Sequence, residues 1–325
     1  MKMKISLIAV AIAAVTACTA YAQTAANWPS KPIRMIVPFP AGGTSDILTR
    51  LVGQKLTEAW GQQIISDPRP GANGNIGVEL TVRAPPDGYT MALMDVGNLS
   101  ISPSVYTKLP FDIIRDLATV TTVAQSPHVV AVHPNVPVKN IKELVALAKA
   151  NPGKLNFPTG LGSAPHMAGL SFQQRAGVDW VYIPTRGGAS SILPVATGEG
   201  DLLFMGIIQT TAHVKSGKLK AIAVSSAKRD PALPDVPAIA ETAGYEDFVS
   251  GSWQGIVAPA KMPPDIINKM YLEVKRVIAL PDLREKLAAQ GATPYAMTPA
   301  EMSKWLASER DRWIKVVKAS GFKMD

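Results

Sequence analysis

The stretch IVPFPAGGTSDILTRLVGQKL (Ile36–Leu56) passes from a short apolar run, through two prolines and a Gly-Gly pair, into a helical repeat. Gly42 and Gly43 allow positive φ values and a close approach of another group to the backbone. Thr44 or Ser45 can cap the helix that follows. The exposed N–H groups at the start of such a helix suit a carboxylate or a phosphate. An ordinary strand-to-helix turn would explain the local pattern equally well.

Two further strand-to-helix junctions carry small residues. In TGLGSAPH (Thr159–His166), Ser163 can cap a helix and Pro165 falls in its first turn. In PTRGGAS (Pro184–Ser190), Arg186 could pair with a carboxylate, although an isolated Arg is more often a surface charge. Ligands of open α/β sheets bind outside the carboxyl ends of the strands. We therefore expect these loops to meet at one binding site.

Short apolar strands alternate with helical repeats over the first two thirds of the chain. The predicted strands cover residues 33–37, 63–66, 90–94, 129–133, 154–157, 180–183, 202–205 and 221–225. Predicted helices dominate the last third, over residues 265–279, 282–290 and 299–320. The alternation favours an α/β fold with a parallel-rich sheet. Extended stretches around residues 121–128 and 245–253 indicate two crossings between lobes, one lobe being inserted in the other.

The N-terminus has the pattern of a secretory signal. Lys2 and Lys4 precede an apolar run, and Ala20-Tyr21-Ala22 offers small residues at the cleavage site. We therefore expect removal of residues 1–22 and export of the mature chain to a bacterial periplasm. A lipid anchor at Cys18, the only cysteine, is the alternative. No later segment carries 18 uninterrupted apolar residues, so we expect a mature protein that does not span a membrane.

Charge and motifs exclude several functional classes. Without the two signal lysines, the 33 basic residues become 31, against 25 acidic ones, and they are scattered along the chain. This pattern is typical of a solvated surface and argues against a nucleic-acid partner. The four histidines lack metal-binding spacing, and the chain has no P-loop, dinucleotide fingerprint or nucleophile elbow. We therefore expect no metal and no cofactor.

A hydrolase can still be imagined from the residues. Asp46, His166 and Ser163 could form a triad, and Ser45 is a second candidate nucleophile. However, their order in the chain matches no familiar triad, and nothing in the sequence positions the base. Asp46 is more simply a carboxylate that compensates the helix dipole or braces the loop. Since the residues show no catalytic chemistry, we expect a protein that is not an enzyme.

Several motifs resemble, in order and over nearly the whole mature chain, the Bug-type receptors of tripartite tricarboxylate transporters. The motifs are Trp28-Pro29 to Ile33, Val37-Pro38-Phe39-Pro40-Ala41-Gly42-Gly43, Asp46 with Arg50, Arg69-Pro70-Gly71-Ala72 with Gly74 and Gly77, Pro86-Asp87-Gly88-Tyr89-Thr90, Gly162-Ser163 with His166, Ser216-Gly217-Lys218-Leu219-Lys220-Ala221, Leu233-Pro234-Asp235-Val236-Pro237, Ser252-Trp253, Ala258-Pro259 and Pro263-Pro264.

The resemblance implies a two-lobed, type II-like periplasmic binding fold that closes like a flytrap, each lobe a mixed sheet flanked by helices. One lobe would comprise residues 23–126 plus 250–325, and the inserted lobe residues 127–249. The loops Ala41–Ser45 and Gly160–Ser163 would hold one ligand carboxylate, largely through backbone N–H groups and water. The implied ligand-binding residues are Phe39, Ala41, Gly42, Gly43, Thr44, Ser45, Asp46, Thr159, Gly160, Gly162, Ser163, His166, Thr185, Arg186 and Gly206.

The chain departs from the family pattern at two places. Many relatives carry Tyr-Lys where this chain has Thr185-Arg186, and many carry an Asp near the position of Gly206. The first change keeps a positive charge but removes a phenol, and the second removes a group suited to a ligand amine. We therefore predict a dicarboxylate without an amine, and the lost bulk leaves room for a bulky or aromatic one.

The resemblance thus favours a periplasmic solute-binding protein that delivers a small carboxylate to the membrane components of a tripartite tricarboxylate transporter. A secreted hydrolase that uses Ser163 or Ser45 is one alternative. A sensory co-receptor is another, because sensing and transport use the same ligand-driven closure.

Overall fold

The computed structural model describes residues 27–324 of the chain. The predicted signal peptide and the alternative anchor at Cys18 lie outside the described residues. Ten strands form the sheets: β1 (Ile33–Val37), β2 (Ile64–Pro68), β3 (Thr90–Asp95), β4 (Leu117–Val132), β5 (Asn156–Thr159), β6 (Val181–Pro184), β7 (Leu202–Gly206), β8 (Lys220–Val224), β9 (Gly251–Pro259) and β10 (Thr293–Pro294), all counted within residues 27–324.

Eleven α-helices flank these strands in the same part of the chain: α1 (Thr44–Trp60), α2 (Asn75–Val82), α3 (Ser102–Val105), α4 (Ile113–Asp116), α5 (Ile141–Ala150), α6 (Ala164–Ala176), α7 (Ala189–Thr197), α8 (Ile207–Lys215), α9 (Pro264–Ile278), α10 (Pro281–Ala288) and α11 (Pro299–Ser320). A short π-helix, Gly97–Ile101, follows β3 directly. Among the described residues, no helix combines the length and the apolar character that a membrane crossing requires.

The fold has two lobes that share one curled sheet. In the first lobe the strand order is β10-β4-β9-β3-β1-β2, and β1 lies parallel to both β2 and β3. In the second lobe β7 and β8 pair with the end of β4, and β5 and β6 form a parallel pair beside them. Helices cover both sheets, so the predicted α/β, two-lobed class is confirmed.

Strand β4 runs through both lobes without interruption. From Leu117 to Pro127 it pairs antiparallel with β9, and from His128 to Val132 it pairs antiparallel with β7 and β8. The sequence predicts only the last part of this strand, because its Thr-rich first part lacks the apolar run of a buried strand. The expectation of a parallel-rich sheet is correspondingly wrong for β4 and β9, whose pairings are all antiparallel.

Buried apolar side chains hold each lobe together. Phe157, Phe172, Trp180 and Phe204 form an aromatic cluster in the second lobe, with ring centroids 5.5 to 6.4 Å apart. Aromatic pairs of this kind stabilise the fold by more than the burial of their apolar surface alone. Because these side chains fix the β5, β6 and β7 segments, the loops that follow those strands start from rigid positions.

Candidate functional site

A cavity of about 40 Å³ lies between the two lobes, at the carboxyl ends of several strands. Both lobes contribute to its wall, and the lining includes neither lysine nor arginine. The residues that line it are Phe39, Gly43, Thr44, Ser45, Asp95, His128, Gly160, Ser163, Pro165, Gly187, Gly188, Ser191, Met205, Gly206, Gln209, Ser252 and Gln254.

Four helices begin at this cavity. These are α1, α6, α7 and α8, whose cap residues are Gly43, Ser163, Gly188 and Gly206, and all four caps line the cavity. The first N–H groups of a helix have no acceptor within it, and each N-terminus carries roughly half a positive charge. The wall is therefore electropositive without any cationic side chain, which suits a small anion.

The first loop, residues 40–46, is braced by Asp46. This buried carboxylate accepts hydrogen bonds from the Gly42 N–H (2.9 Å), the Ser66 hydroxyl (2.6 Å) and Arg50 Nε (3.0 Å). Burial by itself would raise the pKa of Asp46, but these hydrogen bonds outweigh it and hold the pKa below its ordinary value. Asp46 thus fixes the loop from behind and does not line the cavity.

The start of α1 differs from the prediction that Thr44 or Ser45 caps it. The cap residue is Gly43, and no side chain completes the cap. Because Asp46 bonds the Gly42 N–H instead, no described protein group accepts a hydrogen bond from the N–H of Thr44 or Ser45. The capping prediction is wrong. Thr44 and Ser45 line the cavity, and their N–H groups have no described protein acceptor.

The second loop, residues 160–166, is braced by His166. Its Nδ1 accepts a hydrogen bond from the Gly162 N–H (3.1 Å), and its ring lies against Tyr182 and Phe322. Burial lowers the pKa of His166 to about 4, so the ring is neutral at pH 7. The predicted cap is confirmed, since Ser163 Oγ accepts from the His166 N–H (3.4 Å).

The third loop, residues 185–190, closes the cavity from the second lobe. Gly187 and Gly188 both have positive φ values, and a Cβ on Gly187 would lie 3.6 Å from the Phe39 ring. Thr185 bonds Ser191 and the Gly187 N–H, so it shapes this loop from outside the cavity. Arg186 is exposed and does not line the cavity.

Polar side chains that the sequence analysis missed complete the wall. Asp95, at the end of β3, accepts from the Asn98 N–H (3.1 Å), and burial raises its pKa to about 6. His128 is buried, its Nδ1 lies 3.1 Å from Ser250 Oγ, and burial lowers its pKa to about 4. His128 Nε2, Gln209 Oε1 and Gln254 Oε1 are buried without a described partner.

The structure thus brings seven of the fifteen predicted residues to the cavity. Those seven are Phe39, Gly43, Thr44, Ser45, Gly160, Ser163 and Gly206. The other eight do not line it: Ala41, Gly42, Asp46, Thr159, Gly162, His166, Thr185 and Arg186. Asp95 had a detectable signal, because it is a lone acid at the end of an otherwise apolar strand. Gln209 and Gln254 had none.

The arrangement lacks the relay that a hydrolase needs. His166 Nδ1 is used by the Gly162 N–H, and Asp46 is bonded to Arg50 and Ser66, so no carboxylate orients a base toward Ser163. Within residues 27–324, no group of three His, Cys, Asp or Glu side chains is arranged to hold a metal ion.

The two-lobed fold and the anion-suited cavity between the lobes define a class: a periplasmic binding protein that receives a small solute. Comparison with known sequences identifies the family. The chain belongs to the receptors of tripartite tricarboxylate transporters, since the family model described as "Tripartite tricarboxylate transporter family receptor" matches residues 48–322.

Individual relatives agree over nearly their full lengths. The chain is 32% identical to Protein BugT of Bordetella pertussis over 326 residues, 100% of both chains. The solved periplasmic binding protein BugD superposes with a TM-score of 0.86 at 30% identity, over 92% of this chain and 100% of that one. A protein of R. palustris solved with adipate has a TM-score of 0.88 at 30% identity, over 91% and 99%.

These findings confirm the Bug-type resemblance. The family and its solved relatives are solute-binding receptors and not enzymes, so the hydrolase alternative is wrong.

Proposed function

We propose that this protein captures a small dicarboxylate between its lobes and presents it to the membrane components of a tripartite tricarboxylate transporter. The observation that carries the proposal is the convergence of four helix N-termini on a cavity without a cationic side chain. Such a wall favours a carboxylate over a cation or a neutral solute. The family, which takes its name from a carboxylate transporter, supports the same ligand class.

The first loop supplies the main anchor for one carboxylate. The N–H groups of Thr44 and Ser45 have no described protein acceptor, and Gly43 leaves the approach to them open. We assign ligand contact to the seven predicted residues that line the cavity. We also propose that the lobes divide as expected, into residues 23–126 plus 250–325 and residues 127–249, because β4 changes partners between Pro127 and His128.

Gly206 supports a ligand without an amine. A Cβ at this position would lie 3.0 Å from Thr44 Oγ1, so an aspartate here would occupy the cavity itself. The relative solved with adipate makes adipate, together with succinate, a reasonable first ligand to test.

Equilibrium titration tests the proposal. Succinate, adipate, phthalate, aspartate and glutamate would each be titrated into the purified mature protein, after a thermal-shift screen. We expect an aliphatic dicarboxylate to bind most tightly. Tight binding of glutamate alone would contradict the amine-free assignment, and failure of every organic acid would contradict the proposed function. Mass spectrometry of a ligand retained through purification provides an independent answer.

A further inference from the structure

The cavity contains an acid that the binding of one carboxylate does not explain. Asp95 is the only acidic residue among those that line the cavity, and it is the last residue of β3, just before the π-helix. The Asn98 N–H fixes its Oδ1 at 3.1 Å. An acid in an anion-binding wall opposes the ligand's charge, so its presence calls for a specific role.

Few charged groups act on Asp95. From β4, His128 shares the cavity wall and is neutral at pH 7, and from α6, His166 lies behind the second loop and is also neutral. The charges of Asp46 and Arg50 compensate each other behind the first loop. Burial and backbone N–H groups govern the pKa of Asp95, with no contribution from a charged side chain among the described residues.

Counting charges gives the consequence. A fully ionised dicarboxylate beside an ionised Asp95 would place three negative charges at one cavity. The helix N-termini carry partial charges of roughly +0.5 each and are spread around the wall, so they compensate only part of this. Two carboxylates that share a site do not both stay ionised, and one of them retains a proton.

We propose that the receptor binds its dicarboxylate together with one proton, which is held between Asp95 and the ligand's second carboxyl group. This inference rests on the proposed function. The proton comes from solvent, no covalent bond to carbon changes, and the ligand leaves with or without the proton when the lobes open. Asp95 then acts as a specificity-determining residue: it accepts a protonated acid or another uncharged donor at the ligand's far end.

Calorimetric titration at pH 6, 7 and 8 tests the proposal. The probe is whichever of succinate and adipate binds more tightly, measured in two buffers of different ionisation enthalpy. We expect uptake of about one proton at pH 8, and an affinity that falls about tenfold per pH unit above pH 6. The monoamide of the same acid, which mimics the protonated form, should bind with no proton uptake and no such slope.

Asp95→Asn isolates the residue responsible. The asparagine Oδ1 can still accept from the Asn98 N–H, while its NH₂ group can donate to the ligand carboxylate. We expect this variant to lose both the proton uptake and the pH slope, and to bind the diacid at least about tenfold more tightly than wild type at pH 8. Asp311→Asn, on the outer surface of α11, is the matched control and should keep the wild-type slope.

Three results would overturn the inference. The first is an affinity of the wild type for the diacid that does not change with pH. The second is an Asp95→Asn variant that no longer binds the diacid at any pH. The third is preferential binding of an amino acid that Asp95→Asn abolishes, since Asp95 would then pair with an ammonium group. Absence of binding by wild type and variant with every acid would overturn the proposed function as well, which distinguishes the two failures.

Discussion

The first and second loops are held by the same hydrogen-bond pattern, but the side chain that accepts the hydrogen bond differs between them. In each, the third residue of a helix accepts a hydrogen bond from the N–H of a glycine with positive φ, four residues earlier. In the first loop the acceptor is Asp46, an ionised carboxylate paired with Arg50. In the second it is His166, a neutral ring packed between aromatic side chains.

The two loops differ in what they leave for a ligand. The first has a glycine cap, so the N–H groups of Thr44 and Ser45 remain unused by described protein groups. In the second, Ser163 takes the His166 N–H and Pro165 has none, which leaves a single first-turn donor at Ala164. The comparison supports the proposal that the first lobe supplies most of the N–H groups for the carboxylate, whereas the second mainly shapes the cavity.

The largest loss of ligand affinity is expected from Gly43→Leu, which would prevent the first loop from holding the ligand carboxylate. Gly43 has φ −74° and ψ 166°, values that any residue adopts, so the fold should survive. A Cβ would lie 3.3 Å from the Pro40 carbonyl oxygen, which must give by a few tenths of an ångström, and 3.6 Å from Gln209 Oε1, and the rest of the leucine would fill the cavity. We expect at least about a 100-fold loss of affinity, measured by titration.

Ala41→Leu is the matched control for that variant. Ala41 belongs to the same loop but is exposed and does not line the cavity. Its affinity should stay within about threefold of wild type, or roughly 0.7 kcal/mol. Equal losses in the two variants, or unchanged affinity in Gly43→Leu, would contradict the assignment of the first loop.

Asp46→Asn should have the next largest effect, because it weakens the brace without touching the ligand. The variant leaves Arg50 without its carboxylate and weakens the bonds from Gly42 and Ser66. Loss of a buried charge-assisted bond costs about 1–3 kcal/mol, so we expect lower stability and about tenfold weaker binding. Urea unfolding and titration measure the two effects. A variant as stable as wild type would show that Asp46 braces nothing.

The two side chains that brace the loops, Asp46 and His166, should also lose their stabilising effect at different pH values. Between pH 6 and pH 4 the unfolded chain would protonate both His128 and His166, whose pKa values burial lowers to about 4, while the native state would protonate Asp95. Between pH 6 and pH 5 these three groups leave a difference of about one proton, so their contribution to the free energy of unfolding should fall by about 1.4 kcal/mol over that pH unit as the pH drops.

The variant His166→Gln sharpens this point. Its amide oxygen can still accept from Gly162, but it does not titrate, so the fall in unfolding free energy between pH 6 and pH 5 should be much smaller than in wild type. Asp46, whose pKa lies below its ordinary value, adds stability that is present above about pH 4 and is lost only at lower pH. Urea unfolding at pH 7, 6, 5 and 4 provides the measurement, and an unchanged slope in His166→Gln would assign the acid sensitivity elsewhere.

The smallest effect is expected from Arg186→Ala. The sequence made Arg186 a candidate partner for the ligand, but its side chain is exposed outside the cavity. An exposed charge contributes little, so the affinity should change by no more than about twofold at physiological salt. A loss of 50-fold or more would mean that Arg186 reaches the bound ligand, and the third loop would then join the first as an anchor.

The elements with a strong local pattern were predictable. Strand β1 and helix α11 begin and end where the apolar periodicity and the flanking Pro and Gly residues place them. Ser163 was predictable as a cap because its hydroxyl precedes the helix at the right spacing. Strand β4 was not, because its first part is recognised only through pairing with β9, which follows more than a hundred residues later.

The site followed the same rule. The glycine-rich junctions could be recognised from the sequence, because the glycines and the free N–H groups of the helix start lie within a few consecutive residues. The side chains at its far wall come from distant segments: Asp95 from β3, His128 from β4 and Gln254 from β9. Only the pairing of those strands brings them together. Conversely, Asp46 and His166 carry motif positions in the sequence, and the structure shows them serving the loops from behind.

Because β4 is continuous through both lobes, a paired strand connects the lobes at this point, and not a flexible hinge. Opening the lobes must bend and twist a hydrogen-bonded β4–β9 ribbon near Pro127, since no slack linker is available there to rotate freely. Deforming these paired strands would cost free energy. The rate at which the ligand escapes would depend on the stiffness of these two strands as well as on the contacts inside the cavity.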